Sequence, residues 1–205
     1  MANGRAVIAE LDALRVGHAV VVGHSYGGGA ALAAAILAPE RVEALVLVAS
    51  VGPGCLSVWD RLLAAPVVGP VCAVAAWWMT PTFVRPFLAR IERRRGPLAA
   101  DTYVGWDVWA HTHHDHGALW RTFLTEQRAL VHDLGRLISD AATIRVPTLV
   151  LADPRDIVVP IRTARQLCAM LPHARLELIE GAGHHLPRRA PQAVADAIVA
   201  FADSL

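Results

Sequence analysis

Short apolar runs that end in loops carrying glycine, proline or aspartate, with small-residue helical stretches between them, set the pattern of this chain. The run His18 to Val22 predicts a buried strand, and Ala30 to Leu37 predicts the helix after it. A second strand is expected over Ala44 to Ala49, following Pro39-Glu40-Arg41-Val42. Two further apolar runs, beginning at Pro147 and at Leu176, lead into polar loops that reach Asp156 and His184. Ahead of the first strand, Val7, Ile8, Leu11 and Leu14 recur at helical intervals and predict a helix over Ala2 to Leu14. Strands and helices in alternation predict an α/β domain around a parallel sheet.

Between Pro53 and about Ala142 the alternation stops, and residues 53–142 are expected to form a helical insertion between the core segments 1–52 and 143–205. All six tryptophans fall there, Trp59, Trp77, Trp78, Trp106, Trp109 and Trp120, together with Phe83, Phe87, Tyr103 and Phe123. Such rings either line an apolar ligand cleft or pack the insertion's own core. The uncharged run Leu62 to Met79 approaches the length of a membrane span. Pro66, Gly69 and Pro70 break its first half, so short helices and no integral span are expected. Arg90 and Arg93 to Arg95 read as a solvated helix end in preference to a contact for anionic lipid heads.

Composition adds bounds. A hydrophobic fraction of 55% over 205 residues suits one α/β domain with an insertion. A net charge of +1 gives no reason to expect a nucleic-acid partner, and all 19 basic residues are arginine. Cys55, Cys72 and Cys168 are odd in number and scattered, which argues against a disulfide framework and for a reducing compartment. Arg5, Glu10 and Asp12 interrupt any apolar leader, so a cytoplasmic location is expected.

The chemistry starts at Gly23-His24-Ser25-Tyr26-Gly27-Gly28, a serine between glycines at a strand-to-helix junction. This pattern predicts a nucleophile elbow, in which Gly23 and Gly27 leave room for strand and helix to approach around a strained serine. An acid and a histidine follow in the order Ser25, Asp156, His184, each after a strand end. The carboxyl ends of parallel strands share one edge, so the three can converge as nucleophile, tautomer-fixing acid and base.

On these motifs, with Val146 to Leu151 before the acid and Gly183-His184 before Pro187, the chain resembles the α/β-hydrolase superfamily from Arg5 to Leu205. The resemblance implies a partial α/β-hydrolase parallel sheet with helices on both faces and an inserted helical cap. It assigns Ser25, Asp156 and His184 as catalytic. It also places Tyr26, through its backbone N–H, with His24, Trp109 and Trp120 among the oxyanion and substrate contacts. Asp153 is the rival acid and stands where the family has a glycine; His185 is the rival base. The largest departure is at the front, where the family's first strands and a second oxyanion donor are missing. That leaves the His18 to Val22 strand with an open edge and favours Met1 not being the natural start.

A second motif, His111-Thr112-His113-His114-Asp115-His116, has the ligand spacing of dinuclear zinc hydrolases resembling metallo-β-lactamases. Its setting, inside the insertion and followed by Leu119, Phe123, Leu130 and Leu134 at near-helical spacing, argues against a metal there. The expectation is a serine hydrolase that cleaves an ester-like bond in a small, largely apolar substrate without cofactor or metal. Thioester, lactone and carbon–carbon bond hydrolysis stay open, as does homo-oligomer formation. The alternatives are a non-catalytic remnant acting as a binding module and a metal-dependent hydrolase using the histidine cluster.

Overall fold

A computed structural model describes residues 1–79, 90 and 118–205 of the chain. They fall into two compact units, Met1–Cys55 with Asp133–Leu205, and Leu56–His132.

In the first unit, four parallel strands, β1 (Ala19–His24), β2 (Val42–Val48), β3 (Thr148–Ala152) and β4 (Ala174–Leu178), lie side by side in sequence order. Helix α1 (Ala2–Ala13) precedes β1, and α2 (Tyr26–Leu37) follows it. The register aligns His24 with Val48, Val48 with Leu151, and Ala152 with Leu178, so all four carboxyl ends reach one edge. Every residue of β3 and all but Glu43 of β2 are buried. Burial on both faces explains why these strands read as unbroken apolar runs.

Successive side chains alternate between two cores. On one face Leu45, Leu47, Val150 and Ala152 meet Ala31 to Ala35 of α2 and Ala164 and Leu167 of α6 (Ile161–Met170). On the other, Ala44, Val46, Val48, Leu149 and Leu151 meet Leu186 of α7 (Leu186–Arg189) and Val194, Ala197 and Phe201 of α8 (Pro191–Ala202). Among the described residues, β1 and β4 are the sheet's edges. The run His18 to Val22, expected to be a buried strand, is instead an edge strand that begins at Ala19: Val22 is 48% exposed and Gly23 is the one fully buried residue of β1. Helix α1 closes on α2 through Gly4, where a Cβ would meet the backbone carbon of Ala33 at 2.7 Å. Val7 and Ile8 pack against the core, but Leu14, expected on the same face, lies beyond the helix and is 62% exposed.

The second unit holds α3 (Val58–Ala64), α4 (Val68–Met79) and most of α5 (Ala118–Ala141), which crosses the boundary and delivers Leu137 to the first unit's core. Ser57 and Asp60 form a capping box that starts α3. The uncharged run is divided at Pro66, between α3 and α4. Among the described residues no helix is long and apolar enough to cross a membrane. The histidine cluster at His111 to His116 lies outside the described residues, as does Trp109; Trp120 belongs to α5 by its backbone, and its side chain also lies outside them.

The junction of β1 and α2 is tighter than the apolar pattern suggests. Helix α2 begins at Tyr26, not Ala30, because Gly27 to Gly29 hide the helix in sequence while permitting it in space. A Cβ on Gly23 would strike the Gly27 carbonyl oxygen and approach Gly28 Cα to 2.7 Å; one on Gly28 would strike the Ser50 side chain. Gly27 differs from the expectation, since a Cβ there meets nothing within 4 Å. The close approach is made by Gly23 and Gly28 instead. Gly28→Ala is therefore expected to cost about 1–3 kcal/mol by overpacking. Gly27→Ala should be neutral or stabilising by up to about 1 kcal/mol, because it replaces a helical glycine without a clash. Urea denaturation midpoints of the two variants check the contrast.

Candidate active site

Ser25 is the single residue between the end of β1 and the start of α2, and its backbone has φ 53° and ψ −119°. This region costs a non-glycine residue about 1–3 kcal/mol, so surrounding bonds must enforce it. They do: the Ser25 N–H donates to the Val48 carbonyl at 2.9 Å. Its own carbonyl accepts from Gly28 N–H at 3.0 Å and Val51 N–H at 3.1 Å. The turn is thereby fastened to the end of β2, and the side chain is left at the sheet's carboxyl edge.

The sequence-expected acid and base arrive there from β3 and β4. His184 Nε2 lies 2.9 Å from Ser25 Oγ, and His184 Nδ1 lies 2.9 Å from Asp156 Oδ2. With its proton on Nδ1, the imidazole donates to Asp156 and accepts from the serine hydroxyl. The Asp156 side chain is 1% exposed and that of His184 10%. Asp156 Oδ1 also accepts the N–H groups of Val158 at 2.8 Å and Val159 at 2.9 Å, which fix the carboxylate's orientation. The residues brought together are thus Ser25, Asp156 and His184.

The rival acid has a different occupation. Asp153 is wholly buried, and its oxygens accept backbone N–H bonds from Arg155 at 2.7 Å and from Ala182 and Gly183 at 2.6 Å each. The rival base, His185, has its ring 5.4 Å from that of His184. His24, grouped in the sequence with oxyanion and substrate contacts, donates from Nε2 to the His184 carbonyl at 2.8 Å. Burial, above all, holds the His24 pKa below its ordinary 6.5, and the neighbouring His184 and His185 push the same way against that carbonyl bond. Tyr26 opens α2, where first-turn backbone N–H groups face the serine side of the junction and the helix dipole favours negative charge. Its hydroxyl accepts from Asn3 Nδ2 at 3.2 Å, a contact no local sequence signal announces. Among the described residues no group of three or more histidine, cysteine, aspartate or glutamate side chains can hold a metal ion.

Two outcomes follow from the strained serine and the half-buried His24 imidazole. Ser25→Gly should be more stable than Ser25→Ala by about 1 kcal/mol, because glycine relieves the positive φ that alanine keeps. Thermal unfolding of the pair measures this. His24 titrates lower folded than unfolded, so its contribution to stability is complete above pH 6.5 and is lost progressively as pH falls below it. The chain should lose stability between pH 7 and pH 5.5 more steeply than His24→Gln, as read by denaturant unfolding at each pH.

Comparison with known proteins agrees with this architecture. The model of the alpha/beta hydrolase family matches residues 2–197. RutD of a Caulobacter species, named provisionally as a carbamate hydrolase, is 30% identical over 98% of this chain and 71% of its own length. The 2-hydroxymuconate semialdehyde hydrolase of Pseudomonas putida is 29% identical over 86% of this chain, which spans 59% of that protein. Among solved structures, the α/β hydrolase MGS-M2, from a Medee basin deep-sea metagenome library, superimposes with a TM-score of 0.67 at 21% identity. It covers 97% of this chain, which accounts for 70% of its own. With a parallel sheet, a serine on a strained strand-to-helix turn and a family match over nearly its whole length, the chain belongs to the alpha/beta hydrolase family.

Proposed function

We propose that this chain is a serine hydrolase acting through an acyl-enzyme on a small, largely apolar substrate with an ester-like carbonyl group. One observation carries the reading: a serine held at φ 53° with its Oγ 2.9 Å from His184 Nε2, whose Nδ1 is 2.9 Å from a buried Asp156. Ser25 Oγ attacks the carbonyl carbon while its proton passes to His184 Nε2. The carbonyl oxygen gains the negative charge, and the Tyr26 backbone N–H at the start of α2 is the donor assigned to it. Collapse of the adduct breaks the bond to the leaving group, which takes the proton from His184. Water then attacks the acyl-enzyme, gives a proton to the same nitrogen, and the acid leaves as Ser25 regains its hydrogen. Asp156 keeps the Nδ1–H tautomer in place and stabilises the imidazolium of each half-reaction.

Two points support the substrate class. Ile157 and Val158, directly after the acid, are 81% and 57% exposed and give the catalytic edge an apolar border. The named relatives act, by their names, on a carbamate and on a semialdehyde, both carbonyl compounds, which supports carbonyl chemistry and leaves the leaving group open.

Intact-mass labelling with a fluorophosphonate probe tests the reading. A single adduct is expected on the parent chain and none on Ser25→Ala or His184→Ala. Asp156→Asn should lower kcat on a short-chain p-nitrophenyl ester by about 10³-fold or more, because the tautomer is lost. A folded parent that takes up no probe overturns the proposal and leaves the non-catalytic binding module as the better account.

A further inference from the structure

The base in this site hangs on a loop. His184 lies beyond β4, past Gly181 and Gly183, whose φ values of 82° and 61° are open to glycine and hostile to other residues. Positioning to within a fraction of an ångström must come from somewhere, and Asp156 grips only the imidazole. Two buried or half-buried polar groups outside the proton pathway grip the backbone instead.

The first is Asp153, at the end of β3. A carboxylate with 0% exposure is costly unless its oxygens are satisfied. Here Oδ2 accepts from Ala182 N–H and Gly183 N–H, both at 2.6 Å. The positive φ of Gly181 and Gly183 turns those successive N–H groups toward one point, a concavity suited to an anionic oxygen. Oδ1 accepts from Arg155 N–H at 2.7 Å, and the Asp153 carbonyl accepts from Asp156 N–H at 3.1 Å. One residue therefore joins the turn that carries the acid to the turn that carries the base. The second group is His24, the last residue of β1, whose Nε2–H donates to the carbonyl of His184 itself at 2.8 Å. It adjoins Ser25 in the chain, so it ties the base's backbone to the strand that presents the nucleophile.

We propose that Asp153, through the Ala182 and Gly183 N–H groups, and His24, through the His184 carbonyl, are positioning residues that clamp the loop carrying His184 and so set the distance from the base to Ser25. The proposal rests on the serine-hydrolase reading above and adds to it the parts that hold its geometry. Asp153 is the more informative half. Replacing one carboxylate oxygen by an amide nitrogen removes the charge and sets a donor against backbone donors at one end or the other. His24→Gln keeps an N–H donor, whereas His24→Leu has none.

The test follows two readouts on the parent, Asp153→Asn, His24→Leu and His24→Gln. One is amide hydrogen exchange at Ala182 and Gly183; the other is the fluorophosphonate labelling rate of Ser25, corrected for folded fraction by circular dichroism. Asp153→Asn should exchange both amides faster while the amides of β2 and β3 keep their protection. It should also label about 10-fold more slowly, a modest share of the roughly 100-fold that an ångström of misplacement costs. His24→Leu should label more slowly by a similar factor, and His24→Gln should recover most of the rate. On a p-nitrophenyl ester the loss should fall on kcat with KM unchanged.

Unchanged exchange at the two amides in Asp153→Asn would overturn the clamp. So would faster exchange with an unchanged labelling rate, which would make Asp153 a purely structural carboxylate. Should Asp153→Asn fail to fold, equal rates for His24→Leu and His24→Gln would overturn the proposal from the other side. A parent that does not label at all fails differently: it ends the hydrolase reading and the positioning role together, whereas a labelling parent with indifferent variants ends the positioning role alone.

Discussion

A single non-glycine residue forced to positive φ is the constraint on which the other features of the site depend. Strand β1 ends at His24 and helix α2 begins at Tyr26, so Ser25 alone makes the reversal of direction. Its φ of 53° and ψ of −119° lie outside the regions an L-residue adopts without strain. The strain is held by the hydrogen bonds that tie Ser25 to Val48, Gly28 and Val51. Those bonds require α2 to sit hard against β1 and the loop after β2, and this sets the steric limits at Gly23 and Gly28. Burial of β2 and β3 on both faces supplies the rigid body against which the strain is enforced.

Two aspartates three positions apart show how environment divides labour between identical side chains. Both are buried, and both satisfy oxygens with backbone N–H groups. Asp156 keeps one oxygen for the imidazole, while Asp153 spends both on the main chain. Sequence order does not distinguish them, and the arrangement of donors does. A buried carboxylate facing only N–H groups is a fastening; one facing an imidazole that itself faces a hydroxyl is placed for the acid's role in the proposed mechanism.

The strands were legible because β2 and β3 are buried on both sides and read as continuous apolar runs. The apolar pattern starts the edge strand β4 two residues late, at Leu176 instead of Ala174, since Arg175 and Glu177 are exposed and dilute it. The start of α2 was hidden by glycines required for sterics, not for helix propensity. Ser25, Asp156 and His184 were legible because each follows a strand end in a parallel sheet, where one edge gathers them. The backbone partners of Asp153 were not legible: they lie 29 and 30 residues away and are N–H groups, which every residue but proline carries. Nor was Gly27's freedom, because two glycines flanking a serine look alike until the neighbouring atoms are placed.

The spacing of the site along the chain has a bearing on when it comes into being. The serine–imidazole contact joins positions 159 residues apart, and the His24 contact to the same loop joins positions 160 apart. Helices and the β1–β2 and β3–β4 pairs close short loops, whereas the contacts of the site also need the pairing of β2 with β3, Leu45 opposite Thr148, which bridges the whole insertion and pays its loop-closure entropy before it returns anything. The Ser25–His184 contact therefore belongs to the assembled sheet alone. A partly folded chain can carry every helix and still lack His184 beside Ser25, and during synthesis that contact stays unformed until the segment after β4 has emerged.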